Sequence, residues 1–402
     1  MKKSLLVTMF TVCSIASTLV ARSIQSELTL TKNARIYVLT CSSGAELYSV
    51  FGHSAVRIVD RDNVLGVVDY VFNWGTFDFG TEHFYLKYAQ GLLPYQLSVS
   101  SYEYFLNSYM LDNRAVFSQE LHLDPFDRQK LADAILENYK PENRTYLYNF
   151  LFDNCSSRIR DIINNSHSET IVWNGPELDK SFWNLLDECL MRLPWVKWGI
   201  HTILGQGGTQ KATPYQYMFL PDYLMAGLST ATVEGLPLVG DITTVVKVEN
   251  DEINHHWYFS PFFVFTLVVL ILIGSMQTFK SEKLLRSVAI PMFLISGLLG
   301  CLMVFLGYFT QHPITAPNLN LIWANPVNLA VLPFLFRKKI SKVVTKYYFK
   351  FYIAILLIGI PIWFTSMPAT PIESLLIIVL MLYLSIKLGI ENFQWILMHR
   401  TK

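Results

Sequence analysis

The composition of this 402-residue chain changes abruptly after residue 257. Apolar runs then follow one another, and most approach the roughly 17–25 residues that an α-helix needs to cross a bilayer. We predict five membrane-spanning helices, at residues 260–278, 288–309, 319–336, 351–367 and 372–390. Residues 258–402 are therefore expected to form an all-α transmembrane domain.

The loops between these spans alternate in charge. Lys and Arg occur in the first and third loops and at the C-terminus, whereas loops 310–319 and 367–373 contain none. Because basic loops stay in the cytoplasm, we expect a cytoplasmic C-terminus and place Trp257 outside the cytoplasmic membrane. Five buried helices of a soluble bundle would not produce this alternation.

The N-terminus indicates the same orientation. Lys2 and Lys3 precede an apolar run at 5–20, which predicts a signal peptide or an N-terminal anchor over residues 1–22. Residues 23–257 are therefore expected to be an extracytoplasmic domain. With 28 acidic and 20 basic residues up to position 257, the charge balance argues against a nucleic-acid partner.

The extracytoplasmic segment mixes strand and helix patterns, which predicts an α+β domain. Runs rich in β-forming residues predict strands at 35–40, 54–59 and 66–74, the last two paired in an antiparallel hairpin. Capping residues predict helices at 125–139 and from about 153 onward. The aromatic-rich segment 182–204 is interpreted either as an element at the membrane surface or as an ordinary amphipathic core element.

Cysteine content points to one candidate nucleophile. Cys41, Cys155 and Cys189 lie in the predicted extracytoplasmic segment, where disulfides persist, and an odd number leaves at least one unpaired. Cys155 follows Asp153-Asn154 at a predicted helix start, where the helix dipole lowers a thiol pKa. The alternatives are a buried apolar role or a disulfide. We expect Cys41 to pair with Cys189.

A cysteine nucleophile needs a base and a group that orients the base. His53 follows Gly52 and begins a predicted strand, although a structural core histidine is the competing interpretation. In the predicted hairpin, position 53 faces approximately 72–73, so Asn73 is the candidate orienting residue, with Asp69 as the alternative for a different register. Motifs typical of zinc ligation are absent from the sequence, and we predict no cofactor.

Three segments together resemble one family, the Lnb-type lipoprotein N-acyltransferases of Gram-negative envelopes. They are residues 39–58, which include Gly52-His53, residues 72–79, and residues 148–161, which include Asn154-Cys155. Residues 213–222 add a fourth matching segment. The resemblance extends over most of 35–225 and the membrane region.

The resemblance implies a permuted papain-like fold, similar to lecithin:retinol acyltransferase, with Cys155 as nucleophile and His53 as base. Such relatives often use a second histidine, which strand 66–74 lacks. The implied activity moves an acyl chain from a phospholipid, through a Cys155 thioester, to the α-amine of a diacylglyceryl-cysteine lipoprotein. The resemblance therefore implies that the partners are the bilayer, a phospholipid and a lipoprotein. It also implies that the protein lies in the inner membrane, with its catalytic domain in the periplasm.

Further residues are assigned to substrate binding. Asn154 and Arg158 flank the thiol, and a dense polar group in the outer loop predicts a headgroup or acceptor site, formed by His312, Asn318, Asn320, Trp323 and Asn325. Interfacial anchoring by Trp323 is the competing interpretation of that loop. Two other functions stay open: a tethered cysteine peptidase or amidase acting on cell-wall peptide, and a non-catalytic scaffold with Cys155 bonded to Cys41.

Overall fold

A computed structural model describes residues 28–64, 66–175, 177–248, 257–337, 344–365 and 371–391. The predicted signal segment 1–22 and the residues after 391 lie outside this range. The chain divides into two compact units, which we call the sheet unit and the helical unit. The sheet unit comprises Met1–Asp179 and Ala212–Glu252, and the helical unit comprises Lys180–Lys211 and Ile253–Lys402.

The sheet unit is organised around a seven-stranded antiparallel sheet in the order β10-β5-β1-β2-β3-β4-β6. Its strands are β1 Arg35–Cys41, β2 His53–Asp60, β3 Val68–Thr76, β4 Pro94–Ser101, β5 Val116–Glu120, β6 Thr145–Leu147 and β10 Thr243–Val246. A smaller antiparallel sheet contains β7 Ile171–Val172, β8 Thr232–Val233 and β9 Leu236–Pro237. The predicted antiparallel hairpin is confirmed as β2 and β3.

Helices pack around this sheet. They are α1 Phe84–Gln90, α2 Tyr102–Leu111, α3 Pro125–Tyr139, α4 Cys155–Ser166, α7 Pro214–Tyr217 and α8 Pro221–Thr230. The predicted helix 125–139 is confirmed: Asp124 caps it through the backbone N–H of Asp127, and Pro125 occupies its first turn. The main core joins α3 and α4 to the sheet through Phe72, Trp74, Leu131, Ile135 and Ile159.

Segment 180–211 belongs to the helical unit by its contacts. It forms α5 Phe182–Leu190 and α6 Pro194–Ile203, with Pro194 at the first turn of the second helix. Trp195 and Trp198 of α6 pack edge-on against Phe265, with ring centroids 5.5 and 5.0 Å away. In the structure this segment groups with the helical unit, whereas the boundaries of the predicted 23–257 domain stay a prediction. Contact with the apolar helix explains its aromatic composition.

The remaining α-helices of the helical unit are α9 Pro261–Phe279, α10 Glu282–Tyr308, α11 Asn328–Leu335, α12 Lys350–Thr365 and α13 Glu373–Ile386. Among the described residues, α9 and α10 are long and apolar enough to cross a membrane. The predicted continuous span 319–336 is broken into a 3-10 turn at Leu319–Ile322 and the short α11. Pro326 lacks the N–H that a continuous helix requires there. The count of five spans stays a prediction.

Candidate active site

The start of α4 is built around the side chain of Asn154. Its Oδ1 accepts hydrogen bonds from the backbone N–H groups of Ser156 and Ser157, both at 2.9 Å, and the Ser157 hydroxyl accepts from the Asn154 N–H at 2.8 Å. This capping box fixes where the helix begins. Cys155 is consequently its first residue, where backbone dipoles favour a thiolate.

His53, at the start of β2, meets Cys155. Burial of the thiol favours its neutral form, but the charge of His53 and a hydrogen bond from its ring outweigh this and lower the pKa of Cys155 to about 7. The backbone N–H of Ser54 and the hydroxyl of Ser156 favour the thiolate further. A hydrogen bond of 2.9 Å between the buried Ser54 and Ser156 hydroxyls ties the strand to the helix.

Asn73 supplies the third side chain of the group. Its Oδ1 lies 3.3 Å from Nε2 of His53, which leaves Nδ1 as the ring nitrogen for the sulfur. The register pairs Val56 with Phe72, so continuing it would place Gly75 opposite His53 and Asn73 diagonally on the same face. The structure therefore brings Cys155, His53 and Asn73 together.

Gly75 makes room for this arrangement. Its φ of +90° is a conformation that side-chain-bearing residues rarely adopt. A Cβ there would lie 3.2 Å from the Tyr148 ring and 3.9 Å from the Cys155 Cβ. Glycine thus lets the end of β3 approach both residues closely.

Asp69, the alternative to Asn73, lies outside this group. Its carboxylate forms a two-point ion pair with Arg57, at 2.7 and 2.8 Å. Arg57 in turn stacks on the Tyr102 ring, 3.4 Å from its centroid. Asp69 therefore stabilises the sheet surface and does not orient His53.

Tyr148 is a site residue that sequence reasoning missed. Its ring and Cys155 both lie beside Gly75, and burial together with the neighbouring thiolate raises the pKa of Tyr148 well above the ordinary value. A protonated phenol beside a thiolate is a donor for negative charge that develops there. Tyr148 begins the segment that contains Asn154-Cys155, but that local pattern does not indicate that its side chain lies beside the thiol.

The other buried thiol of the sheet unit has the opposite character. Burial raises the pKa of Cys41 to about 12, and its hydrogen bond with Tyr109 does not compensate. Cys41 is fully enclosed among Leu39, Ala55 and Val71. No disulfide joins the four cysteines in the described part of the chain, so the expected Cys41–Cys189 bond is wrong. Cys41 is enclosed by the core of its own unit, whereas Cys189 belongs to the other unit.

Comparison with protein families adds an independent observation. Residues 26–183 match the Lnb N-terminal periplasmic domain, and residues 252–392 match the Lnb transmembrane domain. The chain belongs to the Lnb family. It is a membrane-anchored protein with a periplasmic N-terminal domain, and the predicted family is confirmed. Searches of curated proteins and of solved structures returned no match.

In this Lnb-family chain, the two substrate-binding residues predicted beside the thiol are occupied by internal contacts. The Asn154 amide donates to the carbonyls of Phe150 and Phe219, at 2.7 and 2.8 Å, while its oxygen caps α4. Arg158 forms a two-point ion pair with Asp153 at 2.6 and 2.8 Å. Both side chains therefore hold the α4 start in place, and the contacts do not support a direct role in substrate binding.

The polar loop of the helical unit is also committed to internal contacts. The amides of Asn318 and Asn320 both donate to the carbonyl of Thr202, at 3.0 and 3.2 Å. Trp323 is buried and donates to Asn320 at 3.0 Å, which excludes interfacial anchoring as well. These contacts fasten α6 to the loop, so they give no support to a headgroup site.

The last two residues assigned to that headgroup site, Asn325 and His312, lie in the same loop. Asn325 accepts a hydrogen bond from the Val327 N–H at 2.9 Å, and His312 takes part through its backbone, with its N–H 3.3 Å from the Thr310 hydroxyl.

Replacing Asn154 with alanine is expected to destabilise the sheet unit by about 2 kcal/mol or more, because the cap is lost and one buried and one partly buried carbonyl lose their donor. Urea unfolding of the full chain in detergent measures this change. Asn165→Ala, at an exposed position of the same helix, is the matched control and should stay within about 0.5 kcal/mol. Equal unfolding midpoints for the two variants would contradict the capping role.

Replacing Asn73 with alanine is expected to slow alkylation of Cys155 by iodoacetamide by about tenfold or more, because His53 loses the group that orients its ring. Asp69→Asn is the comparator, since it alters the rejected alternative and should change the rate less than about twofold. A larger effect at Asp69 than at Asn73 would reverse the assignment.

Proposed function

We propose that this Lnb-family protein is a cysteine-dependent lipoprotein N-acyltransferase. The observation that carries the proposal is the Cys155 thiol, whose pKa is lowered to about 7 by His53 although the thiol is buried. Perturbed thiols of this kind are nucleophiles. A membrane-anchored chain meets phospholipid esters and lipoprotein amines in the same bilayer.

In the first half-reaction, the Cys155 sulfur attacks the carbonyl carbon of a phospholipid acyl ester. The backbone N–H of Cys155, at the helix start, and the Tyr148 hydroxyl are the donors for the oxyanion. Collapse of the tetrahedral intermediate breaks the ester C–O bond. His53, which took the proton of the Cys155 thiol, gives it to the departing alkoxide, and lysophospholipid and a Cys155 thioester result.

In the second half-reaction, the α-amine of a diacylglyceryl-cysteine attacks the thioester carbonyl. His53 accepts the proton that the amine loses, and the C–S bond breaks to regenerate the thiolate. The product is an amide at the lipoprotein N-terminus. Because water competes with the amine at about 55 M, the site must hold the acceptor close and limit the access of water.

The remaining parts of the proposal concern fold and placement. The order of the His53 strand before the Asn154-Cys155 helix start agrees with a permuted papain-like fold. We further propose five membrane crossings, an inner-membrane location and a cytoplasmic C-terminus. The periplasmic site and the alternating basic loops support this orientation.

Reconstitution tests the reaction directly. The full chain is placed in nanodiscs with phospholipid and a diacylated lipopeptide that has a free α-amine, and products are measured by mass spectrometry. We expect lysophospholipid and N-acylated lipopeptide in equal amounts. When a cell-wall peptide is supplied in place of the lipopeptide, its cleavage without release of lysophospholipid would instead indicate a peptidase or amidase.

The non-catalytic scaffold makes a different prediction. It would leave both substrates unchanged, and its proposed Cys155–Cys41 disulfide is absent from the described structure.

A further inference from the structure

A group of aromatic side chains covers one part of the sheet unit and leaves much of its apolar area open to solvent. We call it the aromatic surface, and its members are Phe77, Phe79, Phe84, Tyr85, Tyr88 and Tyr95. Phe79 is 67% exposed, Tyr85 is 82% exposed and Tyr88 is 54% exposed. Single exposed apolar residues are common in proteins, but a contiguous aromatic group marks an interaction site.

The rings of the aromatic surface contact one another. Phe77 packs against Phe79, Phe84 and Tyr95, with centroid distances of 5.1, 5.8 and 5.3 Å. Phe79 and Phe84 are 5.0 Å apart. The aromatic surface is therefore one continuous patch.

This patch leads directly to the reactive cysteine. Tyr95 stacks on Tyr148 at 4.5 Å, and Tyr148 and Cys155 both lie beside Gly75. Two ring contacts thus separate the sulfur from Phe77 of the aromatic surface. A ligand that covers the aromatic surface would therefore extend to the site of the proposed reaction.

Helix α1, which contributes three of these rings, is unusual for a helix of a folded domain. None of its residues is buried. Its residue before the first turn, His83, has a φ of 56° and makes no side-chain cap. Its single charged residue is Lys87. A short helix of this composition has little support from the protein core, so its apolar residues are available to a partner.

We propose that the aromatic surface is a membrane-contact site that lies at the headgroup–acyl boundary of the bilayer to which the chain is anchored. Phe and Tyr prefer this layer, and Lys87 can reach the headgroups. The family assignment supplies the partner, because a chain with a transmembrane domain always has a bilayer within reach. A soluble peptide would instead require polar groups that satisfy its backbone, and α1 offers few.

The role of this membrane contact rests on the proposed function, for which it would supply the lipid substrate. Acyl esters lie at the same boundary layer that aromatic side chains prefer. Contact through the aromatic surface would bring the Cys155 sulfur close to an ester carbonyl and keep bulk water away from it. The proposed lipid substrate would then be taken from the bilayer without leaving it.

Photo-crosslinking tests the contact without relying on catalysis. Benzoylphenylalanine replaces Phe79 in the full chain, which is reconstituted in phosphatidylethanolamine–phosphatidylglycerol vesicles and irradiated. The matched control carries the probe in place of Phe126, which is 69% exposed on α3. We expect phospholipid adducts at position 79 to exceed those at 126 by at least about fivefold.

The outcomes separate this inference from the proposed function. The same adducts are expected in a Cys155→Ala background, so they would persist even if acyl transfer were disproved. Equal yields at both positions, adducts with a second copy of the chain, or adducts with added lipopeptide in place of phospholipid would overturn the inference.

A second pair of measurements follows from the same contact. The double variant Phe79→Ser, Tyr85→Ser is expected to raise the KM for bilayer phospholipid by about tenfold, because apolar contact with the membrane is lost. Alkylation of Cys155 by water-soluble iodoacetamide should stay unchanged. An unchanged KM would contradict the membrane-contact role, and the unchanged alkylation rate shows that the fold around Cys155 is retained.

Discussion

Cys155→Ala is expected to lower N-acyl transfer and lysophospholipid release by at least about a thousandfold, because the atom that carries the acyl group is removed. The other side chains of the site, even with substrate bound, cannot form the thioester intermediate. Both products are measured by mass spectrometry with the reconstituted chain. This is the largest effect that the proposed mechanism predicts.

The variant should still fold. The start of α4 is fixed by Asn154 and Ser157, and alanine is a favourable residue within a helix. Cys301→Ala is the control, since Cys301 is an exposed cysteine on α10, and it should keep full activity. Substantial transfer by a folded Cys155→Ala chain would remove Cys155 from the mechanism.

His53→Ala is expected to produce the second large effect, a shift in the pH dependence of Cys155 alkylation. In the parent chain, burial raises the pKa of the thiol, but His53 lowers it to about 7, so the rate should be half-maximal near that pH. Without His53, burial of the thiol still raises its pKa. The midpoint should then exceed about 8.5, the ordinary value for a cysteine.

The size of the change at neutral pH follows from these values. A thiol with a pKa of about 7 is half ionised at pH 7, whereas one at or above about 8.5 is at most about 3% thiolate. Alkylation at pH 7 should therefore slow by about fifteenfold or more. His122→Ala, at an exposed position, should keep the parent profile. An unchanged midpoint in His53→Ala would show that His53 does not control the thiol.

The parts of the site that local patterns predict are those held by local interactions. Asn154 predicted a helix start, and its side chain does cap α4. The strand pattern around residues 54–74 predicted a hairpin, and the close approach of Asn73 to His53 follows from its pairing. The predicted hairpin turn lay too early in the chain. Because side chains alternate between the two faces of a strand, the predicted register still placed His53 and Asn73 on the same face.

The errors share a physical cause, which is side-chain contacts that the local sequence pattern does not reveal. Asn318 and Asn320 resemble open binding residues in the sequence, but both donate to Thr202, more than a hundred residues earlier. Asp69 was retained as an alternative because its partner Arg57 could not be recognised from spacing alone. Tyr148 was missed because nothing local indicates that its side chain lies beside Cys155.

In the proposed mechanism, Cys155 carries the acyl group between donor and acceptor. The most direct measurement is the mass of the purified chain after incubation with phospholipid in the absence of a lipoprotein acceptor. We predict one added acyl chain, located on the peptide that contains Cys155 and removed by neutral hydroxylamine or by an acceptor amine. An unmodified Cys155, in a preparation that forms N-acylated product once acceptor is added, would contradict the account.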